Sequence, residues 1–503
     1  MVKKIKTTVA EATKLTVYWL SFSLFVTGIW INKEFGEPTF EQILFHLQFG
    51  SDGLIETDPV LIKSYIKNCL IYPILPALLI FSYEKFIASA NNLGSKNSHQ
   101  KHSNNQFLLF IYKVSSLGFK IKLPLILLLV GTIFFLTKVA FWSYLDNFKT
   151  GSFIEENYIY PINISVPDKK RNLVLVYVES LENTYSNKKI FNEDLLFSIN
   201  NKTSNALSFK NFKQNLGTGF TMGGIVSSQC GIPLKQIFLF NGNTQGSKVR
   251  NFLPGATCLG DILKEHGYTN IFMGGASHSF AGKGKFLSEH GYTEIYGAKE
   301  WRQLGEKNFN GWGLYDDDLF KQAKKRISEL EKQKAPYNLT MLTVDTHHPS
   351  GFISETCRQK GVKDFIGIVK CTSDLLSDFV TFMSVNGYLE NTNLVIMGDH
   401  LSMVNSVYKE LKKERKRTIF NRFIVPKDLV KNRDQIYHYS IFPTILYSLG
   451  FRFENNRLAL GASGFGDLDQ DFELNKFSLG EIRKLLSKHS PIYLKLWKPV
   501  HDN

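Results

Sequence analysis

Asn172-Leu-Val-Leu-Val-Tyr-Val178, with Glu179 directly after it, is the stretch whose reading decides the fold. It is an unbroken apolar run rich in β-branched residues, without polar alternation. Such a strand is buried on both faces, as in a parallel sheet covered by helices. The theme returns in Asn270-Ile-Phe-Met273, Leu339-Thr-Met-Leu-Thr-Val344, Leu394-Val-Ile-Met397 and Arg422-Phe-Ile-Val425. Helical stretches lie between them: Leu259 to His266, ended by Gly267, and Leu319 to Gln333. Strands alternating with helices predict an α/β domain with a mostly parallel central sheet flanked by helices, over residues 171–503.

In open α/β sheets ligands bind beyond the carboxyl ends of the strands. Glu179 follows the first strand, Asp345-Thr-His-His-Pro349 follows the third, and Gly398-Asp-His400 follows the fourth. A single strand-end carboxylate often does no more than cap the next helix. Three strand ends distant in sequence that all offer acids or imidazoles point instead to a metal site. Carboxylate with imidazole suits Zn²⁺ or Mn²⁺, whereas pure oxygen ligation would suit Mg²⁺ or Ca²⁺. Gly217-Thr-Gly-Phe-Thr221-Met-Gly-Gly-Ile225 supplies a nucleophile, because a helix is expected to start near Thr221 and a helix N-terminus favours phosphate. A metal-bound Thr221 hydroxyl would ionise more readily. Taken alone, the same segment reads as a glycine-rich turn with Thr221 as an ordinary cap.

Upstream the pattern changes. Leu15 to Asn32 is 18 residues without a charge, preceded by Lys3, Lys4, Lys6 and Lys14. No small-x-small cleavage site follows, which favours an uncut anchor over a signal peptide. Asn68 to Tyr83 is a second uncharged run, interrupted by Pro73 and Pro76, and Leu123 to Leu145 a third, broken only by Lys138. Three membrane spans are expected, at about 15–32, 68–86 and 123–145. The first connection holds Glu34, Glu37, Glu41, Asp52, Glu56 and Asp58. The second holds Lys85, Lys96, Lys101, Lys113, Lys120 and Lys122, and no acid occurs from Lys85 to Leu145. Lysine asymmetry therefore puts the second loop inside and everything after Leu145 outside. Phe107 to Phe119 is apolar but carries Lys113, and is read as an interfacial helix. Residues 146–170, polar and with Pro161 and Pro167, read as a linker.

The formal net charge of +15 fits an anionic membrane or an anionic substrate. No zinc-finger spacing or RNA-binding aromatic motif is present, so no nucleic-acid partner is expected. Cys69 falls in the second span, while Cys230, Cys258, Cys357 and Cys371 fall in the C-terminal domain. An exported domain permits disulfides, and four cysteines allow three pairings or four free thiols. Short loops close most easily, which favours Cys230–Cys258 and Cys357–Cys371.

Val178-Glu-Ser-Leu-Glu182, Gly217 to Leu234, Thr343-Val-Asp-Thr-His-His-Pro-Ser-Gly351 and Gly398-Asp-His400, with Trp312-Gly-Leu-Tyr-Asp316 and His438 to Leu446, resemble the alkaline-phosphatase/sulfatase superfamily. The likeness is to its branch of membrane phosphoglycerol and phosphoethanolamine transferases, and spans about 172–460. The resemblance implies a sulfatase-like catalytic domain. It implies that Glu179, Thr221, Asp399 and His400 hold one divalent ion, Mn²⁺ ahead of Zn²⁺ or Mg²⁺. It implies Thr221 as nucleophile, His347 beside the transferred phosphate, and Lys283, His278, Asp316 and His348 as substrate-binding. Related lipoteichoic acid synthases carry Trp and Arg where this chain has Ala281 and Lys283, and a lysine offers a point charge without the bidentate fork. The expected reaction takes phosphoglycerol from phosphatidylglycerol to a periplasmic glucan or other envelope glycan through a phosphoglycerol–threonine intermediate. The enzyme would sit in the bacterial inner membrane with its catalytic domain in the periplasm. Phosphoethanolamine transfer is the alternative within the same chemistry, and an inactive membrane sensor of glycerophosphate ligands the alternative outside it. A hydrolytic sulfatase lacks support, since the Cys/Ser-x-Pro-x-Arg motif is missing.

Overall fold

The computed structural model describes residues 2–36, 38, 40, 43, 59–96, 119–146, 149–235, 251–467 and 476–498. Residues 107–118 of the expected interfacial helix lie outside these, as do Glu37, Glu41, Asp52, Glu56, Asp58, Lys101 and Lys113. The chain forms two compact units, Met1–Phe40 with Pro59–Leu145, and Glu41–Asp58 with Asp146–Asn503.

The first unit is helical: α1 (Val2–Phe35), α2 (Ile74–Lys96) and α3 (Phe119–Lys138). Among the described residues, two stretches are long and apolar enough to cross a membrane, Thr8–Phe35 and Leu61–Ser89. The second runs through a π-helical turn, Ile66–Ile71, just before Pro73, and there the Leu70 carbonyl accepts from Trp19 Nε1 at 2.8 Å. Close helix contact rests on a small residue: a Cβ on Gly131 of α3 would lie 2.5 Å from the Ser21 carbonyl of α1. One expectation needs correction. The third apolar helix does not reach Leu145 but stops at Lys138, because Ala140 turns left-handed (φ +54°) before the chain resumes as Phe141–Asp146. A left-handed alanine costs about 1–2 kcal/mol and interrupts the helical ladder. Leu123–Lys138 is a shorter apolar helix than the other two. At 1.5 Å per residue it covers roughly 24 Å of a hydrocarbon layer about 30 Å thick.

Among the described residues the second unit is built on a six-stranded sheet: β1 (Asn172–Val178), β2 (Thr269–Gly274), β3 (Glu294–Tyr296), β4 (Tyr337–Leu342), β5 (Thr392–Gly398) and β6 (Asn421–Ile424). Their order in the sheet is β3-β2-β4-β1-β5-β6. All neighbours are parallel except the edge pair β5–β6, which is antiparallel. The α/β architecture with a mostly parallel sheet is therefore as expected, and β3 is an addition too short to show periodicity. β1 is central and buried along its whole length. Its alternate residues serve two cores. Leu173, Leu175 and Tyr177 pack with α4 (Thr221–Cys230), α5 (Leu259–Glu265) and α6 (Lys283–Glu289). Val174, Val176 and Val178 pack with α7 (Asp316–Gln333) and α8 (Phe365–Val385). Helix α9 (His438–Ser448), on the first of these faces, packs against α4.

Both favoured disulfides are present, Cys230–Cys258 and Cys357–Cys371. The first fastens the end of α4 to the start of α5. Cys69 is free and buried. Within the stretch read as a linker, the helix Phe153–Asn157 is largely buried, and Ile159 and Ser165 bridge to Ala459 and Arg452 of the same unit.

Candidate metal and phosphate site

The strand ends meet as the order β4-β1-β5 dictates. Ser180, directly after Glu179, adopts φ +56°, a conformation an L-residue rarely takes without compensation. The compensation is visible. The turn lets the Ser180 N–H donate to Asp399 Oδ1 at 2.8 Å and the Ser180 hydroxyl donate to Glu179 Oε1 at 2.8 Å. From the β4 side, the Thr346 hydroxyl donates to the Glu179 carbonyl and the Thr343 hydroxyl accepts from the Glu179 N–H. Two glycines permit the close approach. A Cβ on Gly398 would lie 2.0 Å from the Leu181 carbonyl, and one on Gly224 2.0 Å from the Asp399 carbonyl.

Glu179, Asp399 and His400 are each almost wholly buried. Their ligand atoms lie within 4.8 Å of one another. His400 Nε2 is 3.4 Å from Glu179 Oε1 and 3.5 Å from Asp399 Oδ2. His400 Nδ1 donates to the Leu401 carbonyl at 2.8 Å, which leaves the Nε2 lone pair for a ligand. Thr221, the first residue of α4, donates from Oγ1 to Glu179 Oε2 at 3.3 Å. The four residues expected to hold an ion are thus together.

The electrostatics have the same sense. Burial and the neighbouring Glu179 push Asp399 up to about 7. Burial would lower His400, but Asp399 and Glu179 outweigh it and raise it to about 9. Burial would raise Glu179, yet the His400 charge holds it well below the usual range. The two carboxylates thus favour positive charge at this point. Asp399 Oδ2 is buried without a hydrogen-bond partner. An orphaned carboxylate oxygen facing an imidazole nitrogen and a second carboxylate fits a divalent cation. Among the described residues, Cys258, Asp261 and His290 also cluster, but the Cys258 sulfur is bonded to Cys230.

Other expected site residues surround this centre unequally. Lys283 is buried, and burial lowers it to about 8 against the opposing pull of Glu179 and Asp399. His347 engages the His348 carbonyl through Nδ1 at 2.7 Å, lies tilted against Trp312 with ring centroids 4.0 Å apart, and stacks on His348 at 4.5 Å. His278 pairs with Glu300 at 3.2 Å. Asp316 is fully buried, and its carboxylate accepts from the Val344 and Asp345 N–H groups at 2.7 and 3.1 Å. It braces the loop that carries His347.

Three residues had no role in the sequence reading. Ser180 joins Glu179 to Asp399, and only its place between Glu179 and Leu181 in the quoted segment signalled it. His438 donates from Nε2 to the Asp399 carbonyl at 2.8 Å and is held neutral, pushed down to about 3 by burial. Trp312 forms the aromatic backing of His347.

Residues 171–450 match the family described as Sulfatase. Phosphoglycerol transferase I of Escherichia coli O6:K15:H31 is 36% identical over 347 residues, which cover 66% of this chain and 43% of that protein. Phosphoglycerol transferase I of Shigella flexneri gives the same values. The chain thus spans less than half the length of these relatives. Among solved structures, an alkaline phosphatase superfamily protein from Vibrio parahaemolyticus superposes with TM-score 0.48 at 19% identity, covering 66% of this chain and 80% of that one. The lipoteichoic acid synthase LtaP from Listeria monocytogenes superposes with TM-score 0.48 at 17% identity, covering 63% and 82%.

Proposed function

Because the chain belongs to the sulfatase family, we propose that it is a membrane-anchored phosphotransferase that moves phosphoglycerol from phosphatidylglycerol to a hydroxyl of an envelope glycan. The observation that carries this reading is Thr221. It opens a helix, and its hydroxyl meets Glu179 at 3.3 Å beside Asp399 and His400. The 36% identity to phosphoglycerol transferase I supports glycerol over ethanolamine as the transferred headgroup.

Thr221 gives up its proton and attacks phosphorus. A Thr221 O–P bond forms, the P–O bond to diacylglycerol breaks, and the lipid oxygen takes a proton. An acceptor hydroxyl then attacks, its O–P bond replaces that to Thr221, and a proton returns to the threonine oxygen. With Nδ1 engaged by the His348 carbonyl, proton exchange at His347 falls to Nε2. The N-terminus of α4 offers N–H groups to phosphate oxygens, and Lys283, close enough to feel the Glu179 and Asp399 charges, adds a positive charge. A divalent ion held by Glu179, Thr221, Asp399 and His400, Mn²⁺ in this reading, would supply a lowered hydroxyl pKa and charge neutralisation. The apolar stretches Thr8–Phe35 and Leu61–Ser89 support an anchor in the bacterial cytoplasmic membrane, and the lysine excess from Lys85 to Lys122 supports a catalytic unit outside it.

The test uses full-length protein with headgroup-labelled phosphatidylglycerol or phosphatidylethanolamine and an envelope glycan fraction. Label from phosphatidylglycerol alone should reach glycan. Transfer from phosphatidylethanolamine instead would reassign the headgroup, and transfer from neither would overturn the activity.

A further inference from the structure

Glu182 closes the Val178-Glu-Ser-Leu-Glu182 segment, and the chemistry above gives it nothing to do. It is nevertheless fully buried with a charged partner, Arg417, whose side chain is 15% exposed. Arg417 Nε donates to Glu182 Oε1 and Oε2 at 2.9 and 3.0 Å, and Nη2 donates to Oε2 as well. Nη2 also donates to the Ser402 carbonyl at 2.6 Å, and the Ser402 N–H returns to Glu182 Oε2 at 3.1 Å. One end of this arrangement lies three residues beyond Glu179 and the other two residues beyond His400. The backbone beside it is stitched too. The Asn183 N–H donates to the Thr418 carbonyl at 2.9 Å, and its side-chain amide donates to Thr418 Oγ1 and the Ile419 carbonyl. The Ser402 hydroxyl accepts from Tyr185 and Asn405.

A buried ion pair is a poor device for stability, since apolar isosteres of similar volume usually do as well. Its advantage is geometric: a guanidinium fork fixes a carboxylate and a carbonyl in one plane, which a lysine or an apolar side chain does not. Partners behind metal ligands set ligand orientation and hence affinity.

We infer that Glu182 and Arg417 are positioning residues, a buried clamp that sets the spacing between the Glu179 loop and the Asp399–His400 loop and thereby the metal affinity of the site. The inference rests on the proposed reading that these residues hold a divalent ion.

The experiment measures Mn²⁺ and Zn²⁺ affinity by chelator competition on the purified full-length chain, alongside thermal unfolding. The double variant Glu182→Gln/Arg417→Met removes both charges together and leaves neither stranded. It should unfold near the wild-type temperature yet bind both ions about 10-fold or more weakly, with kcat lowered and KM for phosphatidylglycerol unchanged. Wild-type affinity in that variant would reduce the pair to packing and overturn the inference. Should the double variant fail to fold, Arg417→Lys, which keeps the charge and loses the fork, carries the same test with the same overturning outcome. If the wild-type chain takes up neither ion, the metal reading itself fails and the clamp with it.

Discussion

Thr221 is asked to do two things, to hold a cation and to attack phosphorus, and substitutions separate them from folding. Its side chain is only partly buried and its hydroxyl makes one long hydrogen bond, to Glu179 at 3.3 Å. Thr221→Ala should therefore leave thermal unfolding within about 0.5–1 kcal/mol of wild type, while transfer falls by about 10³-fold or more. Thr221→Ser keeps the oxygen but frees χ1, so part of the activity should remain. Brief incubation of the wild type with phosphatidylglycerol should add a phosphoglycerol group to the Thr221 peptide, detectable by mass spectrometry. Asp399→Ala should lose the ion and His347→Ala should retain it, because His347 is held by the His348 carbonyl and Trp312 rather than among the ligands. Wild-type transfer by Thr221→Ala would remove the covalent mechanism.

At the level of elements, the first turn of α7 is tied to the end of β4 by two buried acids. Asp316 accepts the Val344 and Asp345 N–H groups, and Asp345 Oδ2 accepts the Asp316 N–H at 3.2 Å. Burial, opposed by these backbone donors, raises Asp316 to about 7, with the Asp317 and Glu179 charges adding to the rise. Burial and Asp316 raise Asp345 well above its ordinary range. A carboxyl whose pKa is higher folded than unfolded binds more protons in the native state. Its contribution is therefore complete below the unfolded value of about 4 and is lost as pH climbs through about 7. Chemical unfolding of the full chain should show this loss between about pH 4 and 7, on the order of a few kcal/mol. Asp316→Asn should lower stability at low pH, since one acceptor is weakened, yet flatten the slope between about pH 4 and 7. An unchanged slope in that variant would place the titration elsewhere.

For the whole molecule the open quantity is the number of spans, because its parity sets the side on which the catalytic unit lies. Two apolar stretches have full membrane length, while Leu123–Lys138 is shorter and followed by the left-handed Ala140. A span of roughly 24 Å crosses if the bilayer thins or if Lys138 extends to the interface. The lysine excess from Lys85 to Lys122 also favours crossing. A phosphatase reporter fused after Asp146 should accordingly be active and a cytoplasmic reporter at the same place silent. The reverse pattern would mean an even number of spans and would put the site on the cytoplasmic side.

The sequence by itself determined the strands, since a run such as Leu173 to Val178 buries favourably only with cover on both faces, and it determined which strands end in acids and imidazoles. It determined both disulfides too, because the pairs that close the shortest loops are the ones formed. Helix ends were less legible. α7 begins at Asp316 rather than Leu319, and β4 ends at Leu342, because the reciprocal hydrogen bonds from the backbone N–H of Asp316 and of Asp345 to the other's carboxylate override local pattern. The break at Ala140 has no proline or glycine to announce it. Tertiary structure alone decided that Ser180 turns left-handed to reach Asp399, that His438 holds the Asp399 carbonyl, and that Glu182 meets Arg417 across 235 residues of chain. Periodicity reports which face of an element is apolar. Which polar atom it meets depends on how strands far apart in sequence are ordered in the sheet, and no local pattern carries that order.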